Sequence, residues 1–422
     1  MANWELSGCL QVRESLTGIG VSNVRELAGV RVVISATTTG TVWSQWCDVR
    51  TGADGKFRCV LDKSDAMRRF KIEVFLEDDL LRVMRPRFLR AGKEEGEAET
   101  APIDVWKDES KRDNGLFGAI TLDDAAAGND ERNHARRAAL WYVARHVQNN
   151  LAARDAWLGF NKQLTIVHPS MMNTISTGNR VHIAADWRAP GNPSYNITDV
   201  VHEVMHIWNY QHNHGVAVNW VCGLFGTHNR QEPRNIAFHE GFAQWASFAL
   251  QRLLWARSTT EAPYNRYKIA NAADFRIADL GEFEKKDDCV TGALHLLIYP
   301  HAERLLFGTR TSPPGLTTSS LAVDVAPDRI SIAMTCPTSK LDFWDVLLAF
   351  RGGQHANWST DWQVGNGSFG LLRFYDRVSD ICPDKFPQST KDVYIGLLDP
   401  NGSDELRDHC TRVIRPIKPL LP

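Results

Sequence analysis

The chain has 422 residues, a length typical of two to three domains. Hydrophobic residues make up 43% and charged residues 23%, which suits folded cores and excludes wholesale disorder, collagen and coiled coil. The formal charge of −2 gives no global basic field that would indicate nucleic-acid binding, and no apolar run approaches the roughly 18 residues of a membrane span. The composition therefore predicts a soluble, multidomain protein that has neither nucleic acid nor membrane as a partner.

The N-terminal residues show no basic segment followed by an apolar one, so no signal peptide is visible. We expect a cytoplasmic protein, one exported by a signal-independent route, or a sequence that begins after a signal. The eight cysteines contain no C-x-x-C pair, which excludes a cysteine zinc ribbon and a dense disulfide framework. The spacing of the cysteines is still compatible with a few isolated disulfides.

The first 120 or so residues are typical of β-strands. Apolar residues alternate with charged ones from Phe70 to Leu76, which is the period of a half-buried strand. The other strands predicted here are Glu5–Glu14, Gly29–Thr37, Thr41–Asp48, Lys56–Leu61, Leu80–Arg85 and one around Ile120 and Leu122. Many short strands at close spacing favour a β-sandwich, while the charged segment Lys93–Gly115 is predicted to be a loop.

The stretch VWSQWCDVRTGADGKFRCVL holds a T-x-x-D-G-x-F turn between two of these strands. With the preceding GVRVVISA it resembles the transthyretin-like, carboxypeptidase-regulatory-like β-sandwich, and the resemblance extends loosely over residues 1–123. Such modules support or target a neighbouring domain. The resemblance implies that this region either binds a partner or packs on the next domain, without chemistry of its own.

After Asp124 the pattern changes to mixed helix and strand. Leu140, Val143, Val147 and Leu151 lie on one face of a helix predicted from about Glu131 to Ala153. The elements predicted to follow are strands at Gln163–His168 and Arg180–Trp187, a helix beginning near Asn196 or Thr198, and helices at Leu341–Phe350 and Phe369–Ile381. The chain is thus predicted to comprise an all-β module over 1–123, an α+β core over 124–310 and a helical part over 311–422.

The sequence His202-Glu203-Val204-Met205-His206 stands inside the helix that begins near Thr198. Side chains at i and i+4 project from one face of a helix, so both imidazoles can reach one metal ion, and Glu203 can reach a water beside it. This is the H-E-x-x-H pattern of zinc metallopeptidases. Chance gives it about 0.02 times in a chain of this composition, so the pattern is specific.

Two residues compete for the place of third metal ligand. Glu240 stands in His239-Glu240-Gly241-Phe242-Ala243, which resembles the downstream E-G-x-A motif of the gluzincin clan of zinc peptidases. The longer spacing from His206 indicates an inserted loop, Asn213–Ile236. The resemblance implies a zincin-type peptidase core whose Glu240 helix packs against the H-E-x-x-H helix, with Phe242, Trp245 and Ala246 between or behind them.

His212 is the alternative third ligand. Its spacing from His202 and His206 matches the metzincin pattern H-E-x-x-H-x-x-G-x-x-H, with Asn209 in place of glycine. That interpretation requires the helix to break at Asn209, whereas the residues that follow are typical of continuing helix, and it leaves the motif around Glu240 unexplained.

The sequence therefore predicts a zinc-dependent peptidase acting on a peptide or protein. His202, His206 and Glu240 hold Zn²⁺, and Glu203 is the general base. The alternatives are a metzincin-type peptidase that uses His212, and a catalytically inactive zincin-fold binding or adhesion protein with a structural zinc. The residue that would stabilise the oxyanion is left open among Tyr264, Tyr267, His295, Tyr299 and His301.

Overall fold

A computed structural model of the whole chain describes most of the N-terminal half and five helical segments further on. The described residues are 3–17, 23–37, 41–62, 69–90, 94–99, 102–108, 116–170, 174–184, 197–213, 234–255, 287–298, 339–351 and 370–392. The chain divides into two compact units, residues 1–207 and 208–422, and the boundary falls inside one helix, α2 (Ile197–Asn213).

The first unit begins with ten strands. They are β1 (Asn3–Glu14), β2 (Asn23–Glu26), β3 (Arg31–Thr37), β4 (Ser44–Arg50), β5 (Lys56–Asp62), β6 (Arg69–Phe75), β7 (Leu81–Arg90), β8 (Glu94–Glu99), β9 (Ile103–Asp108) and β10 (Leu116–Asp123). A helix, α1 (Asn129–Arg154), and a short 3-10 turn (Ala156–Leu158) precede β11 (Leu164–Ser170), β12 (Ile175–Thr177) and β13 (Arg180–Ala184). The predicted strands and the first predicted helix are confirmed, with ends shifted by a few residues.

Two four-stranded sheets contain most of the N-terminal strands. In the first sheet, the long strand β1 pairs with β10 in parallel on one side and with β5 and β2, both antiparallel, on the other. The second sheet is antiparallel in the order β4-β3-β6-β9. A disulfide between Cys47 on β4 and Cys59 on β5 joins the two sheets, with the Cα atoms 6.3 Å apart.

The turn at Ala53-Asp54-Gly55 leads from β4 into β5. Gly55 has φ +71, and a Cβ atom there would lie 2.7 Å from the carbonyl oxygen of Leu10 on β1. Only glycine meets both conditions, because L side chains rarely adopt this φ and the neighbouring strand leaves no room. This glycine is the one in the T-x-x-D-G-x-F turn that the sequence singled out.

A third sheet has the order β12-β13-β11-β7-β8. Its centre is parallel, with Leu81–Met84 of β7 beside Leu164–Val167 of β11, and Thr165–Val167 of β11 beside Arg180–His182 of β13. Two of its strands, β7 and β8, come from the region 1–123, so the sheet crosses the domain boundary predicted at residue 123. That boundary and the one at 310 stay predictions.

The prediction of a loop over Lys93–Gly115 is wrong for two segments, because β8 and β9 lie within it. Both strands are at sheet edges, β8 beside β7 and β9 beside β6. An edge strand bonds through its backbone on one side only, and charged side chains such as those of β8 (EEGEAE) discourage further pairing. Strand β8 therefore lacks the apolar alternation by which the sequence reveals the other strands.

The helix α1 packs against β1 and β10 of the first sheet and against β7 and β11 of the third. Its buried residues include Trp141, whose indole Nε1 donates a hydrogen bond to the carbonyl oxygen of Ala28 at 3.1 Å. Arg145, one turn further on, forms an ion pair with Asp78, in the connection between β6 and β7. The N-terminal region is therefore fixed to α1 by packing, a hydrogen bond and an ion pair.

The described helices of the second unit are α3 (Arg234–Trp255), α4 (Asp287–Ile298), α5 (Phe343–Arg351) and α6 (Leu371–Ile381), together with the last residues of α2. A β-rich N-terminal region followed by helices confirms the coarse α+β, multidomain fold class. The assignments to a transthyretin-like sandwich and a zincin domain stay predictions. No helix within the described ranges has both the length and the apolar character that crossing a membrane requires.

Candidate metal centre

His202 and His206 lie on α2 at the predicted i, i+4 spacing. Their Nε2 atoms are 3.0 Å apart, and the two rings are nearly perpendicular, with an interplanar angle of 86°. Both side chains are buried, since the residues are 7% and 5% exposed. Each imidazole thus directs the same ring nitrogen toward one point inside the protein.

Glu240 lies on α3, and its carboxylate completes a group with these two histidines. One ligating atom from each of His202, His206 and Glu240 lies within 4.8 Å of the others, and Glu240 is 9% exposed. Two imidazoles and one carboxylate are a donor set typical of catalytic zinc sites. Zinc–nitrogen distances of about 2.0–2.1 Å in a tetrahedral site would separate the two nitrogens by about 3.3 Å, close to the 3.0 Å observed. The residues fit a zinc ion.

The helices α3 and α4 are in close contact at Gly241, next to Glu240. A Cβ atom at Gly241 would lie 2.7 Å from the carbonyl oxygen of Asp287 and 2.7 Å from Cβ of Val290. The hydroxyl of Thr291 donates a hydrogen bond to the carbonyl oxygen of Gly241 at 3.0 Å. The glycine of the E-G-x-A motif therefore lets α4 hold α3 directly behind Glu240.

Replacing Gly241 with alanine is expected to lower the free energy of unfolding by about 1–3 kcal/mol, because backbone and a β-branched side chain must move. Glycine to alanine inside a helix is ordinarily stabilising by about 0.5–1 kcal/mol, so the expected sign is reversed. Urea unfolding measures the difference in the free energy of unfolding. Gly52→Ala is the control, because the atom nearest to a Cβ at Gly52 is a side-chain oxygen of Asp54, at 3.1 Å, and this side chain can move. An unchanged or higher stability of Gly241→Ala would contradict the close helix contact.

Two contacts hold α3 to the last turns of α2. The side-chain amide Nδ2 of Asn209 lies within hydrogen-bonding distance of Nδ1 of His239, and both residues are buried. The amide donates, so Nδ1 of His239 accepts and its proton lies on Nε2. Trp208 stacks on Phe242 with ring centroids 5.8 Å apart. His239 and Phe242 lie within two residues of Glu240, so these contacts hold this segment of α3 against Trp208 and Asn209.

An aromatic cluster continues from Phe242, whose ring also contacts Phe350 of α5 at 3.8 Å. Phe238 and Trp245 of α3 pack on Phe350 and Phe343 of α5, with ring centroids 5.3 Å and 5.1 Å apart. Phe374 of α6 contacts Phe350 at 4.3 Å. The helices at 343–351 and 371–381 therefore pack on the Glu240 helix through these rings.

Glu203 lies next to His202 on α2 and is half-buried. Within the described ranges, its carboxylate makes no hydrogen bond or ion pair. A carboxylate beside two imidazoles that could hold a metal ion, and without such a structural partner, is available to accept a proton.

His212, the alternative third ligand, is half-buried, and its ring packs on Trp208 with centroids 4.6 Å apart. The helix α2 continues through Asn209 to Asn213, so the break that the metzincin interpretation requires is not present there. His212 is not part of the group formed by His202, His206 and Glu240.

The five candidates for stabilising an oxyanion stay predictions. Tyr264, Tyr267, Tyr299 and His301 lie outside the described residues, as does the side chain of His295. The pairing of Asn209 with His239 was not predicted from the sequence. In the sequence, Asn209 only occupies the place of the metzincin glycine, and no local pattern links two residues 30 positions apart.

The chain matches no family model, no curated protein and no solved structure.

Proposed function

We propose that this protein is a zinc-dependent peptidase that hydrolyses peptide bonds. The observation that carries the proposal is the group of His202, His206 and Glu240, with ligating atoms within 4.8 Å of one another, beside the half-buried carboxylate of Glu203. A zinc ion in such a site polarises the scissile carbonyl and lowers the pKa of water to about 7. Glu203 accepts the proton of the attacking water and delivers it to the nitrogen of the leaving amine.

Three protein ligands support catalysis over a purely structural role for the metal. Catalytic zinc sites have three protein ligands and one open position, whereas structural sites have four. The group found among the described residues has three members and does not include His212, the fourth ligand that a closed structural site would use. A structural site also has no use for Glu203.

The metal test compares two variants that remove one candidate ligand each. Wild-type protein should hold about one zinc ion per chain, measured by mass spectrometry of metals after dialysis. Glu240→Ala should lose this zinc, since only two donors remain, while the matched variant His212→Ala should retain it.

Two results would contradict the assignment. Zinc that persists at one equivalent in the His202→Ala, His206→Ala double variant would remove the metal centre altogether. Loss in His212→Ala with retention in Glu240→Ala would support the metzincin alternative. A zinc protein that cleaves no peptide in a mixture of peptide substrates would be the inactive binding protein instead.

A further inference from the structure

A cluster of positive charge lies in the first unit, where α1 crosses the parallel strands β7 and β11. Arg136 and Arg137 of α1 are buried, at 6% and 5% exposed, and Arg85 of β7 is exposed. Met84 pairs with Val167 in the parallel register, so Arg85 and His168 are the next residues on the two strands. The cluster is therefore where the parallel pairing of β7 with β11 ends, while β7 itself continues beside β8 to Arg90.

Arg137 is the least compensated of these groups. Its Nη1 donates a long hydrogen bond, 3.4 Å, to the carbonyl oxygen of His168. Among the residues that the structure describes, no carboxylate lies within 4.0 Å of its guanidinium group. Asp130, two turns earlier on α1, is exposed and acts on Arg137 only at longer range. A buried guanidinium without a counter-charge is costly, and buried charges in proteins are normally paired.

The positive charges of this cluster act on one another and on His168. Burial and the charge of Arg85 lower the pKa of Arg137 to about 10. Burial, with the charges of Arg137 and Arg136, lowers the pKa of His168 to about 3, so this imidazole is neutral and adds no charge. Arg85 is exposed to solvent, and its charge acts on the buried Arg137. This residue therefore links the cluster to solvent. An anion approaching along Arg85 would meet two further guanidinium groups.

We propose that Arg137, Arg85 and Arg136 bind a small oxyanion, a carboxylate or a phosphate group, where the parallel pairing of β7 with β11 ends. A guanidinium group presents parallel N–H donors that match two oxygens of such an anion. The anion supplies the counter-charge that Arg137 lacks, independently of the metal centre.

The test measures anion binding by the full-length chain with two probes, inorganic phosphate and acetate, each at 10 mM against chloride of equal ionic strength. One or both should raise the Tm by about 3 °C, because a ligand that binds only the folded state stabilises it. Equilibrium dialysis with radiolabelled phosphate or acetate should give saturable binding of about one per chain. A shift with phosphate alone identifies a phosphate group, and a shift with acetate alone identifies a carboxylate.

The matched variants are Arg137→Gln, which should lose the shift and the bound anion, and Arg58→Gln, which should retain both because Arg58 is an exposed partner of Glu5. In anion-free buffer Arg137→Gln should be at least as stable as wild type, since a buried, uncompensated charge is removed. If this variant fails to fold, Arg85→Gln, on the exposed residue, should weaken anion binding about fivefold or more.

The proposal is overturned if neither probe binds saturably to wild-type protein, or if Arg137→Gln binds as wild type does. Anion binding that Arg137→Gln leaves unchanged would point to the proposed metal centre as the binding site. Loss of anion binding in this variant would point to the arginine cluster.

Discussion

Glu203→Gln is expected to fold and to bind zinc as wild type does. Its rate of peptide hydrolysis is expected to fall by a factor of about a thousand or more. Glutamine keeps the size of the side chain and its place on α2 next to His202, but its amide cannot accept a proton from water at neutral pH. Glu203 is not a member of the ligand group, so the metal donors remain. The expected loss therefore falls on turnover and leaves zinc affinity and stability unchanged.

Three measurements on the same preparations separate these effects: zinc content, thermal stability and the rate of cleavage of a peptide found to be a substrate. Glu131→Gln, an exposed glutamate in the first turn of α1, is the control for a change of charge on a helix. Cleavage by Glu203→Gln at the wild-type rate would show that the activity resides elsewhere. Loss of zinc from this variant would give Glu203 a role in binding the metal.

Residues 124–422 expressed without residues 1–123 are expected to be unfolded or insoluble. The truncation removes β7, which pairs with β11 through Leu81–Met84 in the middle of the third sheet. Leu81, Val83 and Met84 are 2%, 5% and 6% exposed, and burial of such side chains stabilises by about 1.5–3 kcal/mol each. Their loss alone approaches the whole stability of an ordinary domain, about 5–15 kcal/mol.

The truncation also removes the partners of α1. Trp141 loses the carbonyl oxygen of Ala28, and Arg145 loses the carboxylate of Asp78. The face of α1 that packs on β1 and β10 becomes exposed. Circular dichroism and size-exclusion chromatography measure the outcome, and co-expression of residues 1–123 with 124–422 should restore a soluble protein if the missing strands are the cause.

A folded, monodisperse 124–422 fragment that binds zinc would contradict this expectation. It would place the domain boundary at residue 123, as the change in sequence pattern suggests, and would make the pairing of β7 with β11 dispensable.

Many local elements of this protein follow from its sequence, although the strands β2, β8, β9 and β12 do not. The alternation from Phe70 to Leu76 predicts the strand found at Arg69–Phe75, and the apolar spacing around Leu140 predicts the helix found at Asn129–Arg154. His202 and His206 are four residues apart on a predicted helix, so their meeting depends on helix geometry alone. These features are encoded within a few neighbouring residues, and a pattern of period 2 or 3.6 is sufficient to reveal them.

The sequence predicts the grouping of Glu240 with the two histidines only in part. The motif around Glu240 indicates a ligand, but His212 offers a second candidate at a plausible spacing. The continuity of α2 through Asn209 and the position of α3 favour Glu240. That position depends on the contact of Gly241 with α4 and on the pairing of Asn209 with His239, which join segments tens of residues apart.

Only the tertiary structure decided which strands share a sheet and which charges lack a partner. The sequence shows β7 as one more apolar strand of an N-terminal group, whereas its parallel neighbour β11 begins more than 70 residues after it ends. Strands of similar composition give the same local sequence pattern, so the pattern does not show which strands pair. The pairing is decided by the packing of α1 and the sheets together. The same holds for Arg137. It is an ordinary helix residue in the sequence, and only its burial beside Arg85, without a nearby carboxylate among the described residues, marks it as a candidate for binding an anion.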